Sequence, residues 1–169
     1  MSLFKRFFVL SGILLSLNQC TLRPLYATQK TESSEHLAYV KIANIEGRLG
    51  QIMRNSLLQK ITPQGQPRNP LYILEVTLNF SDRDLGVAKD ATATRSEVSL
   101  SANYTLKDYT TGKVLYTGKE VENTDYNILT SSYYSNIVSK NNAQEGVVEF
   151  MSNLIKLSLA SYLNSTQNR

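Results

Sequence analysis

The stretch Thr92–Leu106 reads TATRSEVSLSANYTL, and its alternation decides how the rest of the chain is read. Val98, Leu100, Ala102, Tyr104 and Leu106 fall on even positions; Arg95, Glu97, Ser99, Ser101, Asn103 and Thr105 fall between them. A period of two over this length is the pattern of a β-strand with one buried and one hydrated face, and it excludes a helix, whose apolar positions recur every three or four residues. The preceding run LYILEVTLNF, Leu71–Phe80, repeats the pattern with Tyr72, Leu74, Val76, Leu78 and Phe80 against Glu75, Thr77 and Asn79. Two such strands need a partner layer to cover their apolar side.

Working outward, KDYTTGK makes a hairpin turn ending in Gly112, and VLYTGKEVENTDYN continues as a third strand whose alternation breaks near Gly118, where a bulge is expected. Upstream, AYVKIANI (Ala38–Ile45) alternates as a further strand. RLGQIMRNSLLQKI then places Leu49, Ile52, Met53, Leu57 and Ile61 at helical spacing, with Arg48, Gln51, Arg54 and Gln59 left to water. The run Thr62–Pro70, with three prolines and a glycine, ends that helix. Downstream, Ser131–Leu163 lacks proline and carries Tyr134, Ile137, Val138, Val147, Val148, Met151, Leu154, Ile155 and Tyr162 at helical intervals, interrupted at Asn141 and Asn142, with a bend expected at Gly146. The expected fold is α+β in two layers: one four-stranded mixed sheet covered on one face by two helices, in the order βαβββα.

The N-terminus has a different grammar. Lys5 and Arg6 precede the apolar run Phe7–Leu17, which is too short to cross a bilayer and has the build of a secretory leader. It ends at Cys20, the single cysteine of the chain. A lone thiol in an exported chain cannot form an internal disulfide. The site resembles the lipobox of bacterial lipoproteins, in which the cysteine sulfur takes a diacylglyceryl group. Leu17 stands where that motif has an aliphatic residue, while Asn18 and Gln19 stand where it usually has small ones. The alternative is an ordinary leader with an incidental cysteine. A catalytic thiol would need a base, and His36 is the only histidine. Thr21 follows the cysteine where an aspartate would resemble the inner-membrane retention signal, which favours the outer membrane.

The expected organisation is a lipoprotein signal peptide over 1–19, a lipidated cysteine and flexible tether over 20–36, one α+β domain over 37–165 and a disordered C-terminus over 166–169. The whole chain has a net charge of +4, and loss of Lys5 and Arg6 with the leader lowers it to +2. Neither value, nor any Lys/Arg run, points to nucleic acid. A chain with one histidine and one cysteine offers no Cys/His metal cluster or Ser/His/Asp set, and it holds no glycine-rich phosphate loop. Neither an enzymatic activity nor a cofactor is expected. Glu120 and Glu122 are read as a solvated edge. Ten tyrosines and no tryptophan suit half-buried strand positions, the favoured reading, or a protein interface. Arg83, Lys89 and Arg95, around the connection between the first two long strands, are candidate ligands for phosphate groups, although Asp82, Asp84 and Asp90 lie among them.

Taken in order, CTLRPLY, GQIMRNSLL, DATATRSEVSLSANYTLKDYTTGKVL and DYNILTSSYYS resemble the lipopolysaccharide-assembly lipoproteins of the LptE family, in the form found in alphaproteobacteria. The resemblance covers nearly the whole chain after Cys20. It implies an outer-membrane lipoprotein that sits in a one-to-one complex largely inside the β-barrel LptD, acts as its plug and assembly partner, and helps to deliver lipopolysaccharide to the outer leaflet. It also implies Cys20 as the lipidated residue, tying the protein to the outer membrane through acyl chains. The alternative is an accessory periplasmic lipoprotein for a cell-wall synthase or a secretin.

Overall fold

A computed structural model of the protein describes residues 36–87, 93–129 and 132–167. The order of elements is β1 (Val40–Ile42), α1 (Gly47–Ile61), β2 (Tyr72–Val87), β3 (Ala93–Asp108), β4 (Val114–Asn127) and α2 (Tyr133–Gln167). The four strands form one sheet in the order β1-β2-β3-β4. β1 runs parallel to β2, and the other two pairings are antiparallel. This is the expected two-layer α+β architecture, with both helices on the even-numbered face.

The core follows from the two periods meeting. Leu74 and Val76 of β2 and Val98, Leu100, Ala102, Tyr104 and Leu106 of β3 are buried on the even face. α1 covers them with Met53, Leu57 and Ile61; α2 does so with Val148, Met151, Ile155, Leu159 and Leu163. The spacing of three or four puts each set on a single helical stripe. The helices run side by side in the same direction, because Arg48 at the start of α1 meets Glu145 of α2 and Ser56 meets Ser152 further along both. α2 runs antiparallel to β4: Ser158 reaches Glu120, and Tyr162 stacks on Tyr116.

Four local expectations change. β1 is three residues long, far shorter than Ala38–Ile45, because it pairs on one side only: after Ala43 donates to the Leu74 carbonyl the chain turns away towards α1. β2 continues past Phe80 to Val87, so Asp82, Arg83 and Asp84 belong to a strand and not to a connection. Their cross-strand partners Val98, Glu97 and Ser96 continue the ladder with β3. α2 is a continuous 35-residue helix that carries Asn141, Asn142 and Gly146 in its interior. Its early apolar residues Tyr134, Ile137 and Val138 are exposed, since α1 begins opposite Glu145 and does not run beside the preceding turns.

The irregularity in β4 lies elsewhere than at Gly118. The pairing slips between Leu106↔Tyr116 and Lys107↔Val114, which leaves Leu115 as the extra residue, whereas Gly118 pairs regularly with Tyr104. Gly118 answers a different need. A Cβ there would lie 2.3 Å from Cζ of Tyr104, whose ring lies across the glycine. Gly112, at φ +68, serves the turn between β3 and β4, where Asp108 Oδ1 accepts from the backbone N–H groups of Thr110 and Thr111.

Gly118→Ala is therefore expected to destabilise the domain by about 1–3 kcal/mol through forced displacement of the Tyr104 ring. The midpoint of urea unfolding measures it; an unchanged midpoint would show that the ring moves without cost.

Candidate partner-facing surface

The odd-numbered residues of β2, β3 and β4 are built as cross-strand rows on the face away from the helices. Reading along the sheet, Glu75–Thr105–Thr117, Thr77–Asn103–Lys119, Asn79–Ser101–Val121 and Ser81–Ser99–Asn123 lie side by side. Hydroxyls and amides dominate this face, and Val121 is the one exposed aliphatic residue in these four rows. Such a face offers donors and acceptors at the strand spacing to any hydrated surface laid against it.

Beyond these rows the side chains become charged. Arg83, Glu97 and Asp125 form the next row. Arg83 donates to Glu97 at 2.9 Å and Arg95 to Asp125 at 2.6 Å. The two candidate phosphate ligands within the described residues therefore stand on neighbouring strands, each beside a carboxylate. Their guanidinium side chains remain 70% and 57% exposed, so much of each planar fork still faces water. Arg83 also lines a shallow depression of about 300 Å³ with Ser81, Glu97, Ser99, Val121 and Asn123. Lys89 and Cys20 lie outside the described residues.

The helix-facing side of β4 holds a polar network that the sequence reading placed in water. Glu120 Oε1 accepts from the hydroxyls of Tyr104 at 3.2 Å and Ser158 at 3.1 Å, between sheet and α2. Tyr104 is buried and its ring centroid lies 6.1 Å from that of Tyr116, which in turn stacks on Tyr162 at 4.8 Å. The signal for this arrangement was present: Gly118, Glu120 and Glu122 share the parity of Tyr116, and Ser158 sits beside the apolar stripe of α2. The tyrosines thus divide between both readings, with Tyr104 in the core and Tyr39, Tyr109, Tyr133 and Tyr134 exposed.

One pairing has the atoms of a nucleophile and base. Lys60 Nζ donates to Ser152 Oγ at 2.6 Å, Ser56 Oγ lies 2.8 Å from the same oxygen, and burial holds the Lys60 ammonium below its usual range. Ser152 is 0% exposed, however, and donates to the Glu149 carbonyl at 2.6 Å. A serine sealed between two helices has no room for an acyl group, so the cluster acts as a polar clasp between α1 and α2. Among the described residues no group of His, Cys, Asp and Glu could hold a metal ion, and no helix is long and apolar enough to cross a membrane.

Two parallel helices over one face of a four-stranded sheet, with a hydroxyl- and amide-rich opposite face, define a small two-layer α+β domain. The chain belongs to the LptE lipopolysaccharide-assembly family, whose model matches residues 36–157. It is accordingly a lipopolysaccharide-assembly lipoprotein by family. In fold it is similar to a crystal structure assigned as a lipoprotein of Caulobacter crescentus CB15, at 23% identity and a TM-score of 0.63, covering 80% of this chain and 97% of that one. The rare lipoprotein B of Shewanella oneidensis matches at 11% identity and a TM-score of 0.60, over 76% of this chain and 96% of that one. A minor lipoprotein of Acinetobacter baumannii matches at 12% and 0.55, over 72% and 90%. No curated protein matches the sequence.

Burial raises the ionisation of the Tyr104 hydroxyl above its ordinary 10.0, with Tyr116 and Glu120 adding to the effect and the Ser158 hydrogen bond opposing it. The stability this group contributes is present below pH 10.0 and is lost as pH rises further, because the unfolded chain gives up the proton first. Tyr104→Phe is expected to cost about 1 kcal/mol at neutral pH through the lost hydrogen bond, and to flatten the fall in stability at alkaline pH. Urea unfolding at neutral and alkaline pH measures both; an equally steep alkaline fall in the variant would dismiss Tyr104 as its source.

Proposed function

We propose that the protein is the outer-membrane lipoprotein subunit of the lipopolysaccharide translocon, which plugs the LptD β-barrel, assists its assembly and helps lipopolysaccharide reach the outer leaflet. The observation that carries this reading is the family match over the folded domain, joined to a sheet face whose rows of Thr, Ser and Asn suit a hydrated barrel wall. A plug must be withdrawn from water into a polar lumen, and short hydroxyl and amide side chains exchange water for wall contacts at low entropic cost. In this reading Cys20 carries the acyl chains and residues 21–36 are the tether. Stable attachment takes more than one chain, and each buried acyl CH₂ contributes about 0.8 kcal/mol. Arg83 and Arg95, with Lys89 on the connection between their strands, are the proposed ligands for the lipid A phosphates, through the guanidinium donors left free by Glu97 and Asp125.

Affinity purification of the tagged protein from detergent-solubilised outer membranes is expected to recover a large β-barrel in roughly equal amount. Recovery of a synthase or a secretin would remove the translocon role. Cys20→Ala is expected to abolish acyl labelling and release the protein to the soluble fraction; labelling that persists would overturn the lipid attachment.

A further inference from the structure

The open face of the sheet is polar along most of its length, but not at one end. There Tyr39, Leu71 and Tyr109 lie in line across three strands, since Leu71 N–H donates to the Tyr39 carbonyl and Tyr109 N–H to that of Leu71. The next row is Lys41–Ile73–Lys107–Val114. Tyr39, Leu71, Tyr109 and Val114 are 42%, 49%, 44% and 52% exposed. The rows beyond them are mostly Thr, Asn and Ser.

This is the end at which the N-terminal segment joins the domain. His36 begins the described residues, and its carbonyl accepts from Tyr39 N–H at 3.1 Å. The segment between Cys20 and His36 is 15 residues long. A random coil of that length would span on the order of 20 Å on average. A lipid group on Cys20 would therefore keep Tyr39 close to the bilayer surface on average.

The composition of the patch fits that surface. Tyrosine is enriched at membrane interfaces because its ring is apolar and its tip is wet. Lys41 lies over the Tyr109 ring at 5.2 Å, Lys107 is bridged to Glu75 at 2.6 Å, and exposed Lys113 stands in the adjoining turn. The acids here are Glu75 and Asp108, whose carboxylate accepts from Thr110 and Thr111. Three lysines against two carboxylates favour an anionic surface, and long lysine stems can lie along apolar area with their charges in water.

We infer that, before the domain enters the barrel, the end of the sheet built from Tyr39, Leu71, Ile73, Tyr109 and Val114 rests on the headgroup region of an anionic bilayer and sets the tilt of the domain on its anchor. The inference rests on the proposed lipid attachment at Cys20. The domain then stands with its polar rows and the exposed turns of α2 directed away from the lipid.

The chain has no tryptophan, so a single introduced one reports its own surroundings. The full-length lipidated protein is reconstituted as Tyr109→Trp, and separately as Tyr134→Trp at the opposite end, into vesicles of phosphatidylethanolamine and phosphatidylglycerol with brominated acyl chains. Y109W is expected to lose most of its emission relative to vesicles without bromine, and Y134W to keep its emission. Unquenched Y109W in vesicles that carry the protein overturns the inference and leaves the anchor standing. Blue-shifted but unquenched emission overturns it likewise, because protein such as Leu22–Tyr26 would then be the cover. Equal quenching of both variants overturns the end-on seat. Protein that does not float with the vesicles overturns the attachment at Cys20 and this inference with it.

Discussion

Burial of the even face of β3 is the constraint on which the other parts depend. Val98, Leu100, Ala102, Tyr104 and Leu106 present more apolar area than one helix can cover, so β3 must be a central strand and two helices must lie across the sheet. With β2 and β4 on either side, that requirement fixes which residues of each neighbour face inward, because a slip of one position would turn the Thr, Ser and Asn rows into the core. The polar face is thus a consequence of the same alternation that builds the core.

The helices answer the constraint unequally. α1 covers the sheet only near the end where the N-terminal segment enters, and α2 covers both this half and the far half alone. Where the two run together they are fastened by Ser56, Lys60 and Ser152 rather than by apolar contact alone. Each hydroxyl there is satisfied, which is what allows a fully buried serine at a helix interface. Beyond α1 the helix-facing side of the sheet becomes polar as well: Lys140 pairs with Asp82, and the Ser96 hydroxyl donates to Asp84. The helix-facing side therefore grades from apolar packing at one end to polar pairing at the other.

Strand and helix existence, their order and the inward set of β2 and β3 were legible because both periods run for many residues. Lengths were not. β1 reads as eight residues and pairs over three, because alternation records which residues point inward and not whether a neighbour is there to pair with. Asp82, Arg83 and Asp84 read as a charged connection because their polarity on both faces looks like a loop; the strand persists because β3 continues to pair with it. Glu120 reads as solvated because a carboxylate's default is water, and only the tertiary placement of Ser158 and the Tyr104 hydroxyl supplies its partners. Of the proposed ligands, Arg83 and Arg95 could be named from sequence, but their carboxylate neighbours depend on the pairing between three strands.

The overhang of α2 has a consequence for the way this helix opens. Its turns after Glu145 are locked to the core through Val148, Met151, Ile155, Leu159 and Leu163, while no residue from Tyr133 to Gln144 is buried. Opening free energy tracks such local burial, so the first third of the helix can fray and re-form many times during one lifetime of the folded domain. Amide exchange along α2 would then fall steeply near Glu145, dividing one geometrically continuous helix into two thermodynamic segments. The far segment, with Tyr133, Tyr134, Ile137 and Val138 on its surface, can change shape against a partner without drawing on the stability of the core.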